Sequence, residues 1–270
     1  MAVLTYIDSW KPETNGESLF LRIYQFVAPK VPPLFQNENW IVSPDGVTEH
    51  CRLMASMELT HRCLNTAVSL YELNPTASLD ALIHRLRLVV GLQHIGVPIN
   101  QIAQSTRLAA LDYIGRKLTP TQIDEVHKTE PKYCCWCGNP TVRRKHASPD
   151  QKATVEHLWP EFLGGTSILE NLTIACGECN GTRQHAFNWA WFPAHSVNEK
   201  LDKNGKLPRA ILLSIALHRL IKVASGKTAL SAKRTSLKDA SKKLMGAIPQ
   251  LYLACDTRYT FFEILHNSAE

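Results

Sequence analysis

The sequence predicts an α+β protein, mostly helical, with a small metal-stapled unit of two strands and a helix set between helical regions. Three observations predict it. Between residues 47 and 130 apolar side chains recur every three or four positions in four successive runs, the spacing of helices with one buried face. Two Cys-x-x-Cys pairs, Cys134/Cys137 and Cys176/Cys179, then bracket a stretch of different character. Within it the β-branched run "NLTIAC" reads as a strand that feeds the helix "NGTRQHAFNWAW".

Taken in order, residues 1–48 have no clear period; with the turn chemistry of "APKVPP" they are expected to form short strands and loops over a core. Residues 47–73 read as a helix. "NPTASLDALIHRLRLVVGLQHI" repeats the pattern, with Ser78 as its N-cap. "GVPINQIAQSTRLAALDYIGRKL" has the outline of a helix-turn-helix but no turn signal at its middle, so it reads as one helix. A short helix opens at Thr119 as N-cap with Pro120 at its first position. Residues 196–208 read as a polar loop. Two further helices follow, a mostly buried one in "RAILLSIALHRLIKVASG" and a basic amphipathic one in "SAKRTSLKDASKKLMGAI". The closing "QLYLACDTRYTFFEIL" suits strand or helix. The expected division is 1–130, a helical N-terminal region; 131–194, the metal-stapled core; and 195–270, a basic helical C-terminal region.

Composition sets limits. At 270 residues the chain is long enough for a sizeable core, and 44% apolar with 20% charged residues is ordinary for a globular protein. The opening residues lack a basic stretch followed by an apolar core, and the longest apolar run, "AILLSIAL", is too short to span a bilayer. A cytoplasmic protein with no membrane partner is expected. Residues 1–130 carry 11 Lys/Arg against 13 Asp/Glu, a net −2, whereas residues 131–270 carry 19 against 11, a net +8. A basic half suggests a polyanionic partner, nucleic acid being the commonest, although a solvated basic surface explains the charge equally well.

Of eight cysteines, four fall in the paired spacing of a thiolate zinc site. Cys51, Cys63 and Cys255 sit in apolar surroundings as buried thiols, and Cys135 is a bystander inside the first pair. The 38 residues between Cys137 and Cys176 exceed the need of a simple zinc ribbon. They hold Glu156-His157, Pro160, Gly164-Gly165 and Asn171, in the order strand, loop, strand, with the helix following.

These residues resemble the HNH, or ββα-metal, nuclease family in its zinc-stapled form. The likeness rests on an acid-His pair ending the first strand, Gly-Gly in the loop, "NL" before the second strand and "CxxCN" opening the helix. His157 to Asn171 is fourteen residues and Asn171 to Asn180 is nine. It covers residues 133–191. The resemblance implies that His157 is the general base, that Asn171 hydrogen-bonds across the loop, and that Glu156 and Asn180 hold one Mg²⁺ (or Mn²⁺) beside the scissile phosphate. It implies a phosphate contact for Arg183, with Arg143, Arg144 and Lys145 as further contacts, and a structural Zn²⁺ on the four cysteines. His185 is off the expected ligand face. Glu stands at position 156 where many members have Asp, which shifts metal preference.

The implied function is a metal-dependent endonuclease that nicks DNA, leaving a 5′-phosphate and a 3′-hydroxyl; RNA shares the phosphate chemistry. The alternative is a zinc-dependent nucleic-acid or protein binding module without turnover. The role is similar to that of prokaryotic anti-phage effectors, with restriction-type and mobile-element enzymes as competitors. In the defence reading the acidic N-terminal half docks a protein partner or covers the basic site. A fragment starting near Thr129 would then nick faster than the whole chain.

Overall fold

A computed structural model describes residues 10–27, 44–92, 98–115, 117–186, 209–226, 228 and 230–248. Its helices are α1 (Asn15–Val27), α2 (Pro44–Leu73), α3 (Leu79–Arg85), α4 (Ile99–Gly115), α5 (Pro120–Thr129), α6 (Gly177–Ala186), α7 (Arg209–Ala224) and α8 (Leu237–Leu244). Strands β1 (Ala153–His157) and β2 (Leu172–Cys176) form a two-stranded antiparallel sheet. The mostly helical α+β class and the strand–loop–strand–helix order are as the sequence predicts. No helix among the described residues is long and apolar enough to cross a membrane.

Helix α1 corrects the expectation of strands and loops in residues 1–48. Its start is a capping box: the Glu17 carboxylate accepts from the Thr14 and Glu13 N–H groups (2.7 and 3.0 Å), and the Thr14 hydroxyl accepts from the Glu17 N–H (3.0 Å). Beyond it, Leu19, Phe20, Ile23 and Tyr24 are fully buried at helical spacing. Their stripe is wide, because α1 serves two cores. Leu19 and Ile23 join the residues of α2, α3 and α4; Phe20 and Tyr24 join a second cluster around Trp136 and Trp159.

Ser78 and Thr119 cap α3 and α5 as expected, Thr119 in a full capping box with Gln122. The run after α3 ends sooner than its apolar pattern: one π-helical turn (Leu86–Val90) stops at Gly91, which takes a left-handed φ of 79°. Helix α4 is continuous, so the segment is no helix-turn-helix. Helix α8 is shorter than "SAKRTSLKDASKKLMGAI" predicts. It begins only at the Ser236 cap, because Ser231 pairs with Thr228 in a turn and the Thr235 N–H returns to the Ala224 carbonyl. Residues 196–208 and the closing stretch from 250 lie outside the described residues.

The boundary expected near residue 130 is one of composition, not of packing. Trp159 is buried edge-on to Trp10 (5.2 Å between centroids) and against Phe20 (4.9 Å), and the same cluster takes in Leu53 and Met57 of α2 with Leu213, Leu217 and Leu220 of α7. Backbones also meet. A side chain at Gly16 of α1 would strike the Gly164 carbonyl of the β1–β2 loop, so the two backbones touch with nothing between them. His61 of α2 bonds the Phe162 carbonyl through Nδ1 (3.0 Å). The N-terminal helices are thus the wall on which the β1–β2 loop is formed, and a fragment starting near Thr129 would bare Trp159 rather than uncover a finished site.

Glu17 makes this wall sensitive to pH. Burial pushes its carboxyl from 4.5 up to about 7, against the lowering effect of the two backbone N–H bonds. A raised carboxyl pKa means that the unfolded chain releases its proton first as pH rises, so stability falls between about pH 4.5 and 7 and stays lower above. Glu17→Gln keeps the acceptor oxygen and cannot ionise. In urea melts it should match the parent at pH 4.5 and exceed it at pH 8 by on the order of 1–3 kcal/mol; equal midpoints at both pH values would contradict the burial argument.

Candidate metal centre and hairpin site

The four paired cysteines converge. Their sulfurs all lie within 4.8 Å of one another, Cys137 and Cys176 at 3.9 Å. Tetrahedral zinc with bonds of about 2.3 Å sets its sulfurs about 3.8 Å apart, so the donors fit a structural zinc in number, kind and spacing. Each pair is a knuckle in which the second cysteine's N–H points to the first sulfur, Cys137 to Cys134 at 3.5 Å and Cys179 to Cys176 at 3.4 Å. Sharing of protons within the cluster holds Cys137 and Cys176 below the ordinary thiol range, Cys176 at about 7, through hydrogen bonds with Cys134 above all. Cys135 faces the core, as expected of a bystander, and burial pushes its thiol up. Cys63 is likewise buried.

The C-terminal helices grip this centre from both ends. Arg209, the first residue of α7, donates to the Cys179 sulfur at 3.0 Å while its other nitrogen pairs with Glu178 at 3.0 Å. After α8, the Ala247 and Ile248 N–H groups bond the Cys135 and Trp136 carbonyls (2.9 and 2.7 Å). Gly246 lies directly on Gly138 of the first knuckle.

The centre ties β2 and α6 to the first knuckle, and β1 pairs with β2 in the register Val155↔Ile174 and His157↔Leu172. Strand alternation therefore sends Val155 and His157 to one face and Thr154 and Glu156 to the other. Val155 lies with Leu172 and Ile174 against Val126 of α5. On the other face Asn180, in the first turn of α6, donates to the Thr154 hydroxyl (3.1 Å) and the Val155 carbonyl (3.0 Å).

Two expected roles need correction. Glu156 is not presented to solvent: its side chain is 4% exposed and contacts the Arg183 guanidinium, which is equally buried. Arg183 is correspondingly unavailable to a substrate phosphate. It donates to the carbonyls of His157 and Leu158, and its guanidinium lies 4.6 Å over the Trp136 ring. Burial pushes Arg183 down to about 9, which leaves it charged at neutral pH. One Glu156 oxygen, Oε2, has no hydrogen-bond partner among the described residues. A hydrated Mg²⁺ needs room and several oxygens. A closed carboxylate held by an arginine does not fit it, so Glu156 and Asn180 do not form an open cation site in this arrangement.

His157 stands at the end of β1 with its side chain 15% exposed. Its Nε2 is 3.0 Å from the Ser167 hydroxyl and 3.4 Å from the Glu161 carboxylate. Both contacts fall on one ring nitrogen, so they are not the two-sided relay of a nucleophilic triad. Desolvation lowers the His157 pKa from 6.5, with Glu161 opposing, and the ring is neutral near pH 7. Asn171 bridges the loop: its carbonyl accepts from the Trp159 N–H (2.7 Å), and its amide donates to the Trp159 and Thr166 carbonyls (3.0 and 3.1 Å). Glu161 and Ser167 are missing from the sequence-level set. Glu161 follows His157 by four residues, a spacing that gives no warning when a loop intervenes. Arg143 is exposed and paired with Asp124 (2.6 Å), Arg144 and Lys145 are exposed, and the His185 side chain lies outside the described residues.

Searches of protein-family models, curated proteins and solved structures give no match to this chain.

The Arg209 contact yields a measurable expectation. One zinc per chain should be present, and Arg209→Ala should speed its transfer to a chromophoric chelator severalfold, since a charge-assisted hydrogen bond to a thiolate is lost. Arg209→Lys should fall between. Unchanged release in the alanine variant would show that the contact does not support the metal.

Proposed function

We propose that the chain is an HNH-type endonuclease that hydrolyses DNA phosphodiester bonds one strand at a time. The observation that carries this reading is the unit β1–loop–β2–α6, jointed by four converging cysteines, with a partly open, neutral histidine at the end of β1. In-line hydrolysis needs a group that takes a proton from the attacking water. A neutral imidazole is such a group at pH 7, and this reading gives that role to His157. Asn171 fixes the loop that leads away from His157, and Arg183 fixes the backbone carbonyl of His157 itself. Together they hold the ring's attachment while leaving its side chain to act. The basic half of the chain supplies attraction for the substrate.

The resemblance also implies a Mg²⁺ or Mn²⁺ requirement. With Glu156 held by Arg183, the chemistry that this chain's own residues supply is confined to His157 and the groups around it. A role in bacterial genome or anti-phage defence, with a protein partner and in the cytoplasm, is in keeping with the resemblance. The same burial of Glu156 favours a second reading, a zinc-dependent nucleic-acid binding module without turnover.

Incubation with supercoiled plasmid, with and without added Mg²⁺ or Mn²⁺, separates the two. The first reading expects relaxation that falls by about 10²–10⁴ in His157→Ala, with zinc content unchanged. Because the His157 pKa lies below 6.5, the rate should rise with pH to a midpoint under that value and be level between pH 7 and 8. Tight DNA binding with no cutting at any pH or metal would give the second reading.

A further inference from the structure

A cleft of about 400 Å³ opens between the C-terminal half of α5 and the chain that runs from the first knuckle into β1. Its rim carries Lys128 and Lys132 on one side and Arg143 and Arg144 on the other, and its floor includes Ala153 of β1 and Ile174 of β2. Two carboxylates also line it, and both are taken. Asp124 pairs with Arg143. Glu130 turns inward to Lys238 (3.0 Å), Lys242 (3.7 Å) and the Thr173 hydroxyl (3.3 Å). Among the described residues, Lys128, Lys132 and Arg144 have no carboxylate partner. His127 on the same wall adds no positive charge of its own near pH 7, since burial and the nearby Arg143 lower its pKa.

A second observation points to a ligand. Thr141 lines the cleft at 6% exposure, and its hydroxyl, closed to solvent, has no hydrogen-bond partner among the described residues. Its N–H is already spent on the Lys132 carbonyl (2.9 Å). Orphaned buried hydroxyls are uncommon, and one beside three unpaired cations is what an acceptor-rich anion would complete.

We propose that this cleft binds a backbone phosphate of the nucleic acid, away from the one that is cut. The inference rests on the nuclease reading and adds a register to it. Ala153 and His157 are the two ends of β1 and share a face, so the cleft lies roughly 13 Å along the strand from His157, at about 3.3 Å per residue. The rise of a duplex, about 3.4 Å per nucleotide, is measured along its axis, and successive phosphates of one strand also turn about it, so a strand lying along β1 would put in the cleft a phosphate only a few nucleotides from the scissile one. Lys128, Lys132 and Arg144 hold its charge, and a turn of the Thr141 side chain about its Cα–Cβ bond brings the hydroxyl, closed off in the empty cleft, to one of its oxygens.

The test uses the full chain carrying His157→Ala, so that bound DNA stays whole, and a fluorescein-labelled 20-base-pair duplex followed by anisotropy from 50 to 200 mM salt. Adding Lys132→Ala with Arg144→Ala should weaken binding at least tenfold at the low-salt end. It should also flatten the slope of log K against log salt by about 2, one lost phosphate contact for each cation. Both side chains are exposed, so the fold should be untouched, which zinc content checks. Thr141→Val should weaken binding severalfold without changing the slope, and Thr141→Ser should restore it. Unchanged affinity and slope in the double variant would overturn the cleft as a phosphate site, while plasmid nicking by the chain with His157 intact would leave the nuclease reading standing. A chain that neither binds the duplex nor nicks plasmid would overturn both.

Discussion

The rest of the structure depends on four sulfurs being brought together from two knuckles that are far apart in the chain. A two-stranded sheet of five residues a side buries too little to stand alone, and a metal held by the four sulfurs would supply what the core cannot. Once Cys176 and Cys179 are held to Cys134 and Cys137, the end of β2 and the start of α6 have no freedom left. β1 follows through its register with β2. The joint extends outward as well. Arg209 brings the start of α7 to a thiolate, and residues 246–248 close over the first knuckle. The regions on either side of the core are therefore arranged around the metal centre rather than attached to it.

The second organising element is the double-sided helix α1. One side completes a helical core with α2, α3 and α4, and the other meets the Trp159 cluster beneath the hairpin loop. Stability and site geometry are joined there. The loop that sets His157, Asn171 and Ser167 in relation to one another is pressed against the Gly16 backbone with no side chain between. A side chain introduced at Gly16, far from the hairpin in sequence, would have to displace this loop.

Much of the core unit was legible in the sequence because its signals are local. Cysteine spacing, the Gly-Gly turn, the β-branched run before Cys176, and the Ser78 and Thr119 caps each report on a few neighbouring residues. What was not legible depended on partners distant in the chain. Helix α1 carries a capping box in "TNGE", but its apolar residues point two ways, so the single-stripe pattern of a surface helix is blurred. The acid in Glu156-His157 looks like a metal ligand in any one-dimensional reading. Only the return of α6 shows that Arg183 meets it behind the sheet. Arg183 suits a phosphate by residue type, yet strand alternation and burial turn it inward. The same limit hid Glu161 and Ser167, which reach His157 across a loop whose path the sequence does not fix.

The clasp of residues 246–248 bears on how the protein is made. Synthesis proceeds from the N-terminus, so both knuckles have left the ribosome before Arg209, thirty residues behind Cys179, and well before Ile248. The four sulfurs can therefore be gathered, and a metal taken up by them, while Cys179 still lacks its guanidinium and the Cys135 and Trp136 carbonyls still lack their partners. The centre is assembled in an open form and sealed afterwards. For a metal at this cluster, supply would matter most during translation, in the interval when the sulfurs are gathered but not yet enclosed.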